Sequence, residues 1–306
     1  MINLEDIRKF FHGRIALNEP LSKYTSFRIG GPADYYLEPL DKNDVVQLVG
    51  YLRKENISYV VIGNGSNLLV SDDGVRGVVI NFEHGLNNVH LDGEIIIAEA
   101  GVRMARFVDF CIQQSRKGVE MLAGIPGTIG GAIVMNAGAY GGEISDHVVE
   151  IEVLRDNQIV NLKKSDAGFS YRRSRFQRDV VLSASFDLPH GDKAELIKQR
   201  RELLVKRNQT QPLNLPNSGS VFKNPQGTFA AKLIEEAGLK GTKQGSARIS
   251  ERHGNFIVNS GGASANDVVQ LMKLAHTEVK KKFNIMLELE VKLLGFPDEI
   301  YTMIYN

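Results

Sequence analysis

A run of small residues near the middle most constrains this chain: Gly124-Ile125-Pro126-Gly127-Thr128-Ile129-Gly130-Gly131-Ala132, then Asn136-Ala137-Gly138-Ala139-Tyr140-Gly141. Almost no side chain stands in front of the backbone here, and glycine permits conformations closed to other residues. A flat or phosphorylated cofactor can lie directly on such a surface; a tightly packed irregular core segment is the alternative. A second glycine loop, Gly63-Asn64-Gly65-Ser66-Asn67, directly follows the apolar stretch Tyr59-Val60-Val61-Ile62. Successive glycines let N–H groups converge on an anion, and Ser66 and Asn67 add donors, which suits a pyrophosphate. A plain turn after a strand has the same look. Two such runs in one chain favour a large cofactor. The third glycine of the G-x-G-x-x-G fingerprint is missing, and the G-x-x-x-x-G-K-[ST] pattern is absent, which argues against a Rossmann site and against triphosphate hydrolysis.

Around these runs the apolar spacing predicts a mixed α and β chain. Helices are expected at Asp44–Lys54, Met104–Gln114, Lys193–Lys206 and Phe229–Ala237, the last closed by Gly238. Ser264, with Asp267 three residues on, caps a further long helix whose buried stripe is Val268, Leu271, Met272, Ala275 and Val279. Strands are expected at Tyr59–Ile62, Gly77–Ile80, Glu94–Ala98, Val148–Leu154, Val180–Leu188, Asn255–Asn259 and Ile285–Leu294. A proline-rich linker, Gln211-Pro212-Leu213-Asn214-Leu215-Pro216, marks a domain boundary, and 306 residues suffice for roughly two domains.

Composition excludes several classes. Net charge is +1, so no global field draws the chain to nucleic acid or to acidic membranes, and no aromatic–basic stripe is present. Cys111 is the single cysteine, so no internal disulfide or Cys-based zinc site forms, and a reducing compartment follows. The seven histidines lack ligand spacing, so no metal is expected. The first residues show no signal-peptide pattern, and no stretch reaches the ~18 apolar residues of a membrane span.

Three further segments carry candidate chemistry. In Tyr171-Arg172-Arg173-Ser174 an arginine can hold a carboxylate or a developing oxyanion with a forked pair of bonds; a basic surface turn is the plain alternative. In Ser218-Gly219-Ser220-Val221-Phe222-Lys223-Asn224-Pro225 the Ser220 hydroxyl follows a glycine, and Lys223 and Asn224 can bind anionic or amide groups. No G-x-S-x-G elbow is present, so a hydrolase nucleophile is not indicated. In Leu287–Leu293 a period of two sets Leu287, Leu289, Val291 and Leu293 against Glu288, Glu290 and Lys292. That polar face is either solvated or lines a cleft.

Taken in order, these segments and Tyr24-Thr25-Ser26-Phe27-Arg28-Ile29-Gly30-Gly31-Pro32-Ala33 resemble the UDP-N-acetylenolpyruvoylglucosamine reductases of peptidoglycan synthesis, over nearly the whole chain. The resemblance implies an α+β architecture: a vanillyl-alcohol-oxidase-like (PCMH-type) FAD-binding region, residues 1–205, in subdomains of about 1–82 and 83–205, and a smaller α+β substrate domain, 206–306. It implies non-covalent FAD, NADPH as hydride donor and a UDP-sugar substrate for a cytoplasmic enzyme, expected as a monomer. FAD contacts fall on Arg28, Gly63, Asn64, Gly65, Ser66, Asn67, Pro126, Gly127, Thr128, Gly130, Gly131, Ala132, Asn136, Gly138 and Ala139. Arg172, Ser220 and Glu290 match catalytic positions. Tyr171, Arg207, Lys223, Asn224 and His253 match substrate contacts, with Lys206 close by. The tyrosine-bearing loop of longer family members is absent. An oxidase of the same fold and a non-catalytic nucleotide-sugar sensor are the competing readings.

Overall fold

Residues 2–176 and 179–305 are described in a computed structural model. Their contacts divide the chain into two units that interleave along the sequence. One comprises Met1–Leu17, Tyr35–Asn64 and Gly77–Lys206; the other comprises Asn18–Asp34, Gly65–Arg76 and Arg207–Asn306. A single cut at 205/206 therefore does not separate them. Pairing distant in sequence is the reason: Leu68–Val70 runs parallel to Lys292–Leu294, and the buried Asn259 donates to the Phe27 carbonyl at 3.0 Å.

The first unit is built on a five-stranded antiparallel sheet in the order Gln158–Lys163, Val148–Arg155, Val180–Asp187, Ile95–Glu99, Val89–Asp92. The helix Met104–Gln113 forms because Met104, Phe107, Val108, Cys111 and Ile112 recur at helical spacing, and that face is buried. Burial also pushes the Cys111 thiol well above its usual range, so it stays protonated and inert. Near the N-terminus, Tyr59–Ile62 and Val75–Asn81 pair in parallel, with Tyr59 opposite Val78 and Ile62 opposite Asn81. The helix Lys42–Lys54, which precedes Tyr59–Ile62 and is N-capped by Asp41, buries Val45, Leu48, Val49 and Leu52. Arg14–Pro20 and Pro32–Glu38 complete that sheet. The charged helix runs from Lys193 to Thr210, four residues past its expected end.

The second unit has its own core, in which Phe27 and Leu69 join Phe222, Leu233, Val268, Met272 and Val291. A three-stranded antiparallel sheet, Lys243–Gln244, Ala247–Ile249 and Ile257–Asn259, packs against the helix Ala265–Phe283. That helix opens with the expected reciprocal box: Ser264 accepts from Asp267 N–H, and the Asp267 carboxylate accepts from Ser264 N–H. The helix Ala230–Glu236 ends where Gly238 turns at φ 77°. A last helix, Asp298–Tyr305, packs on Ala265–Phe283.

The expected strand Ile285–Leu294 is a correction. Only Lys292–Leu294 is a regular strand, and Leu289 makes an isolated antiparallel bridge to Phe222. The segment changes partner midway, from Val221–Lys223 to Leu68–Val70. At the change the N–H groups of Glu290 and Val291 both reach the Val221 carbonyl, at 2.8 and 3.3 Å. Two donors on one acceptor mark the kind of local irregularity that re-aims a side chain. The alternation survives in burial: Leu287, Leu289 and Val291 are all inward.

Candidate active site

In the first unit three of the singled-out segments meet. The loop after Tyr59–Ile62 lies against the small-residue run: a Cβ on Gly63 would stand 2.2 Å from Thr128 Oγ1. Only glycine allows that approach. The run itself docks on the segment 100–104, through Gly130 N–H to Ala100 O at 2.8 Å, Ile129 N–H to Val102 O at 2.9 Å and Met104 N–H to Gly127 O at 3.0 Å. It then forms the short helix Ile129–Met135, stopped by Asn136 in the left-handed region at φ 44°. The Asn136 amide donates to Glu143 Oε2 at 2.6 Å and to Ser170 O at 3.1 Å, which ties the run to the turn carrying Tyr171 and Arg172.

That turn is tight. Ser170 and Arg173 exchange backbone hydrogen bonds, both 3.0 Å, with Tyr171 and Arg172 at the corners. Arg172 has φ 55°, a position where a turn calls for glycine or asparagine. An arginine held there costs about 1–3 kcal/mol, a strain that clusters at functional sites. Its Nη2 donates to the Gly138 carbonyl at 2.9 Å, and its guanidinium lies 5.0 Å from the Tyr171 ring centroid. Gly138–Ala139 pairs with Gly142–Glu143, and Lys206 lies 5.4 Å from the Tyr140 ring centroid. Asn64 reaches Glu83 Oε1 at 3.5 Å, and Glu83 is already paired with Arg103.

Two observations test this surface for a dinucleotide. Gly131 is helical and exposed, and a Cβ there would find nothing closer than Thr128 Oγ1 at 3.7 Å. No packing within the protein excludes alanine, which a helix prefers. An outside group lying on the helix would exclude it. The buried Asn136 Oδ1 has no partner among the described residues, as an acceptor reserved for a ligand would be. The residues fit FAD. Pro126, Gly127, Thr128, Gly130, Ala132, Gly138 and Ala139 lie on this same continuous run.

The second unit brings together another set. Arg28 also sits in the left-handed region, at φ 56°, closing a turn by donating from its N–H to Thr25 O. Its neighbours rest on the glycine loop: Ser26 N–H donates to Gly65 O at 3.2 Å, and a Cβ on Gly65 would meet Tyr24 O at 2.0 Å. Asn67 donates to the Glu290 carbonyl at 3.1 Å and accepts from Lys292 N–H at 2.9 Å. Ser220 and Glu290 therefore belong to one scaffold, since Ser220 precedes Val221, whose carbonyl receives the Glu290 N–H. Asn255 fixes that strand by donating to Phe222 O at 2.7 Å and accepting from Phe222 N–H at 2.9 Å. Gly219 turns at φ 77°, with its N–H on Asn217 Oδ1.

The expected substrate residues are less uniform. Lys223 pairs across the strands with Glu288, which itself is exposed. Asn224 accepts from Ala230 N–H at 3.1 Å, anchoring the next helix. Arg207 is buried in the helix Lys193–Thr210. His253 stacks edge-on to Phe256 at 4.7 Å; burial, then the Lys240 charge, pulls its imidazole below the usual range and keeps it neutral. Sequence reasoning missed Glu143 and Asn255. Each is a polar residue a few positions from a glycine or proline turn, and only the folded contacts reveal its work. No group of three or more potential metal ligands occurs among the described residues.

The open main chain of the glycine loops suits FAD, and the comparisons define the class as an FAD-binding protein. Residues 33–162 match the FAD binding domain family, and 211–294 match the UDP-N-acetylenolpyruvoylglucosamine reductase C-terminal domain. The UDP-N-acetylenolpyruvoylglucosamine reductase of Chloroherpeton thalassium is 44% identical, covering 98% of this chain and 99% of its own. That of Caldanaerobacter subterraneus subsp. tengcongensis is 45% identical, over 95% and 97%. The crystal structure of the Thermus caldophilus enzyme matches with a TM-score of 0.80 at 34% identity, covering 93% of this chain and 100% of that one. The chain belongs to the UDP-N-acetylenolpyruvoylglucosamine reductase family. Berberine bridge enzyme from Eschscholzia californica, with a TM-score of 0.50 at 16% identity over 62% and 43%, shares the fold of the FAD-binding part.

Proposed function

We propose that this protein reduces the enolpyruvyl group of UDP-N-acetylglucosamine-enolpyruvate to UDP-N-acetylmuramate, using FAD and NADPH. The observation that carries the reading is the near-full-length likeness to reductases of that name. Bound FAD supplies the two-electron carrier between NADPH and the carbon–carbon double bond.

This chain's own residues do the rest. The open main chain of Gly63–Asn67 and of the run around Gly131 would hold the cofactor, non-covalently. When hydride reaches the distal carbon, negative charge builds on the substrate carboxylate as an enediolate. The forked Arg172 guanidinium stabilises that charge. Glu290 holds the carboxylate through a shared proton. Ser220 gives its proton to the other carbon, which completes the lactyl ether. A hydroxyl is a weak acid in water, but opposite a carbanion-like intermediate it suffices. Lys223, paired with Glu288, lies three residues beyond Ser220. Tyr171, Arg207, Asn224 and His253 serve the UDP-sugar, and residues 206–306 form the part that receives it.

The protein works in the cytoplasm as a monomer on this reading; no helix among the described residues is long and apolar enough to cross a membrane. The test is direct. The purified protein is yellow, NADPH bleaches it, and the enolpyruvyl UDP-sugar restores the colour. Rapid recolouring by oxygen with indifference to the UDP-sugar refutes the reading in favour of an oxidase. A colourless protein that binds the UDP-sugar refutes it in favour of a sensor.

A further inference from the structure

The segment 287–293 carries Glu290 and takes Val221–Lys223 as its neighbour up to the kink and Leu68–Val70 after it. In an extended segment successive residues direct their N–H and C=O to opposite sides. Glu288 and Glu290 face Val221–Lys223: Lys223 N–H donates to Glu288 O and Glu290 N–H donates to Val221 O, both at 2.8 Å. Leu287, Leu289 and Leu293 direct theirs the other way, where no strand among the described residues lies alongside. Three side chains take that place. The buried His276 meets Leu287 O at 3.0 Å through Nδ1, which must carry the proton because a carbonyl only accepts. Leu289 N–H donates to the Tyr305 hydroxyl oxygen at 3.2 Å, and the Tyr301 hydroxyl donates to Leu293 O at 3.3 Å. The rings of His276 and Tyr305 meet edge to face, centroids 5.2 Å apart at 88°.

Tyr301 and Tyr305 lie four residues apart on the terminal helix Asp298–Tyr305, one turn above the other. Ile304, fully buried, and Ile300 and Met303 seat that helix on the second core. The helix lies beyond residues 211–294, which match the C-terminal domain family.

We propose that the terminal helix, with His276, is a positioning clamp for Glu290: Tyr305, Tyr301 and His276 hold the free edge of its segment in register, so that the kink at Glu290 and Val291 aims the carboxylate. This rests on the role given to Glu290 above. Tyr305, Tyr301 and His276 act through the backbone of Leu287, Leu289 and Leu293 and are positioning residues. An edge held by side chains at 287, 289 and 293 resists the slippage that an open edge invites.

The test uses full-length holoenzyme with Tyr305→Phe, which deletes one oxygen and leaves the ring contact with His276. Two readouts separate this inference from the reading it rests on. The first is amide hydrogen exchange over residues 285–294, which needs no substrate. Exchange there should accelerate at least tenfold in Tyr305→Phe, while the peptide over 243–259 stays at the wild-type rate. The second splits the reaction. Flavin reduction by NADPH should hold its wild-type rate, and reoxidation by the enolpyruvyl UDP-sugar should slow roughly ten- to a hundred-fold with a smaller change in KM, the size expected when a reacting group is misplaced by about 1 Å. His276→Asn, which keeps a donor near the Nδ1 position, should recover part of the reoxidation rate that His276→Leu loses. Unchanged exchange at 285–294 overturns the clamp whatever the enzyme reduces. Faster exchange with an unchanged reoxidation rate overturns its link to Glu290. A wild-type enzyme that never recolours with the UDP-sugar overturns the assigned reaction, and the exchange result still decides the clamp.

Discussion

Arg172→Gly separates strain from stability at the turn Ser170–Arg173. The native residue sits at φ 55°, where glycine is at ease, so the substitution relieves about 1–3 kcal/mol. Three losses oppose it. Glycine's extra freedom in the unfolded chain costs about 0.5–1 kcal/mol. The bond from Nη2 to Gly138 O contributes about 0.5–1.5 kcal/mol. The guanidinium over Tyr171 contributes about 0.5–1 kcal/mol. The net change is a destabilisation of about 1 kcal/mol or less, a melting shift of about 2–4 °C for a protein of this size. Loss of an oxyanion-stabilising group, by contrast, costs about two to three powers of ten in turnover. The assay pairs a thermal melt of the holoenzyme with stopped-flow reoxidation of reduced flavin by the enolpyruvyl UDP-sugar. A melting point more than about 8 °C lower refutes the strain argument, because Arg172 would then be holding the fold. Turnover within threefold of wild type refutes its role in the chemistry.

Gly131→Ala should leave the apoprotein as stable or up to about 1 kcal/mol more stable, while FAD content on purification falls; full FAD retention would mean that nothing lies over that helix face. Ser220→Ala should still be bleached by NADPH but reoxidise about two to four powers of ten more slowly, and failure at the bleaching step would remove Ser220 as the proton donor. Because reductant and substrate both need the flavin face, initial-rate plots should show parallel lines; intersecting lines indicate simultaneous occupancy. His253, whose folded pKa lies below its unfolded 6.5, binds its proton more readily in the unfolded chain, so its contribution is complete above about pH 6.5 and is lost as pH falls below that value. Melting curves from pH 5 to 8 should therefore fall more steeply toward acid in wild type than in His253→Gln, and equal slopes would dismiss the effect.

Much of this was legible in the amino-acid order wherever a local rule governs. The stripe on Met104–Gln113 and the Ser264–Asp267 box appear where spacing places them, because a helix needs only its own residues to announce it. Arg14–Pro20 and Pro32–Glu38 went unread, and so did the terminal helix, whose apolar residues Ile300, Met303 and Ile304 occupy barely two turns. Leu287–Leu293 alternates as a single strand would, yet its partners change midway, and no local pattern encodes a change of partner. The site divides similarly. Glycine spacing discloses where main chain lies open. Nothing in Tyr171-Arg172-Arg173-Ser174 discloses a left-handed arginine, because that conformation is imposed by the Ser170–Arg173 closure and by Asn136 reaching over from the run.

The interleaving of the two units has a consequence at the ribosome. Leu68–Val70 emerges more than two hundred residues before Lys292–Leu294, its only neighbour in their two-stranded sheet. At about 5–20 residues per second, Phe27, Ile29 and Leu69 wait roughly ten to fifty-five seconds for the residues that will cover them. During synthesis these early apolar stretches are the natural clients of a holding chaperone, and a nascent chain stalled before its last twenty residues would carry an unfinished second half however well the first had folded.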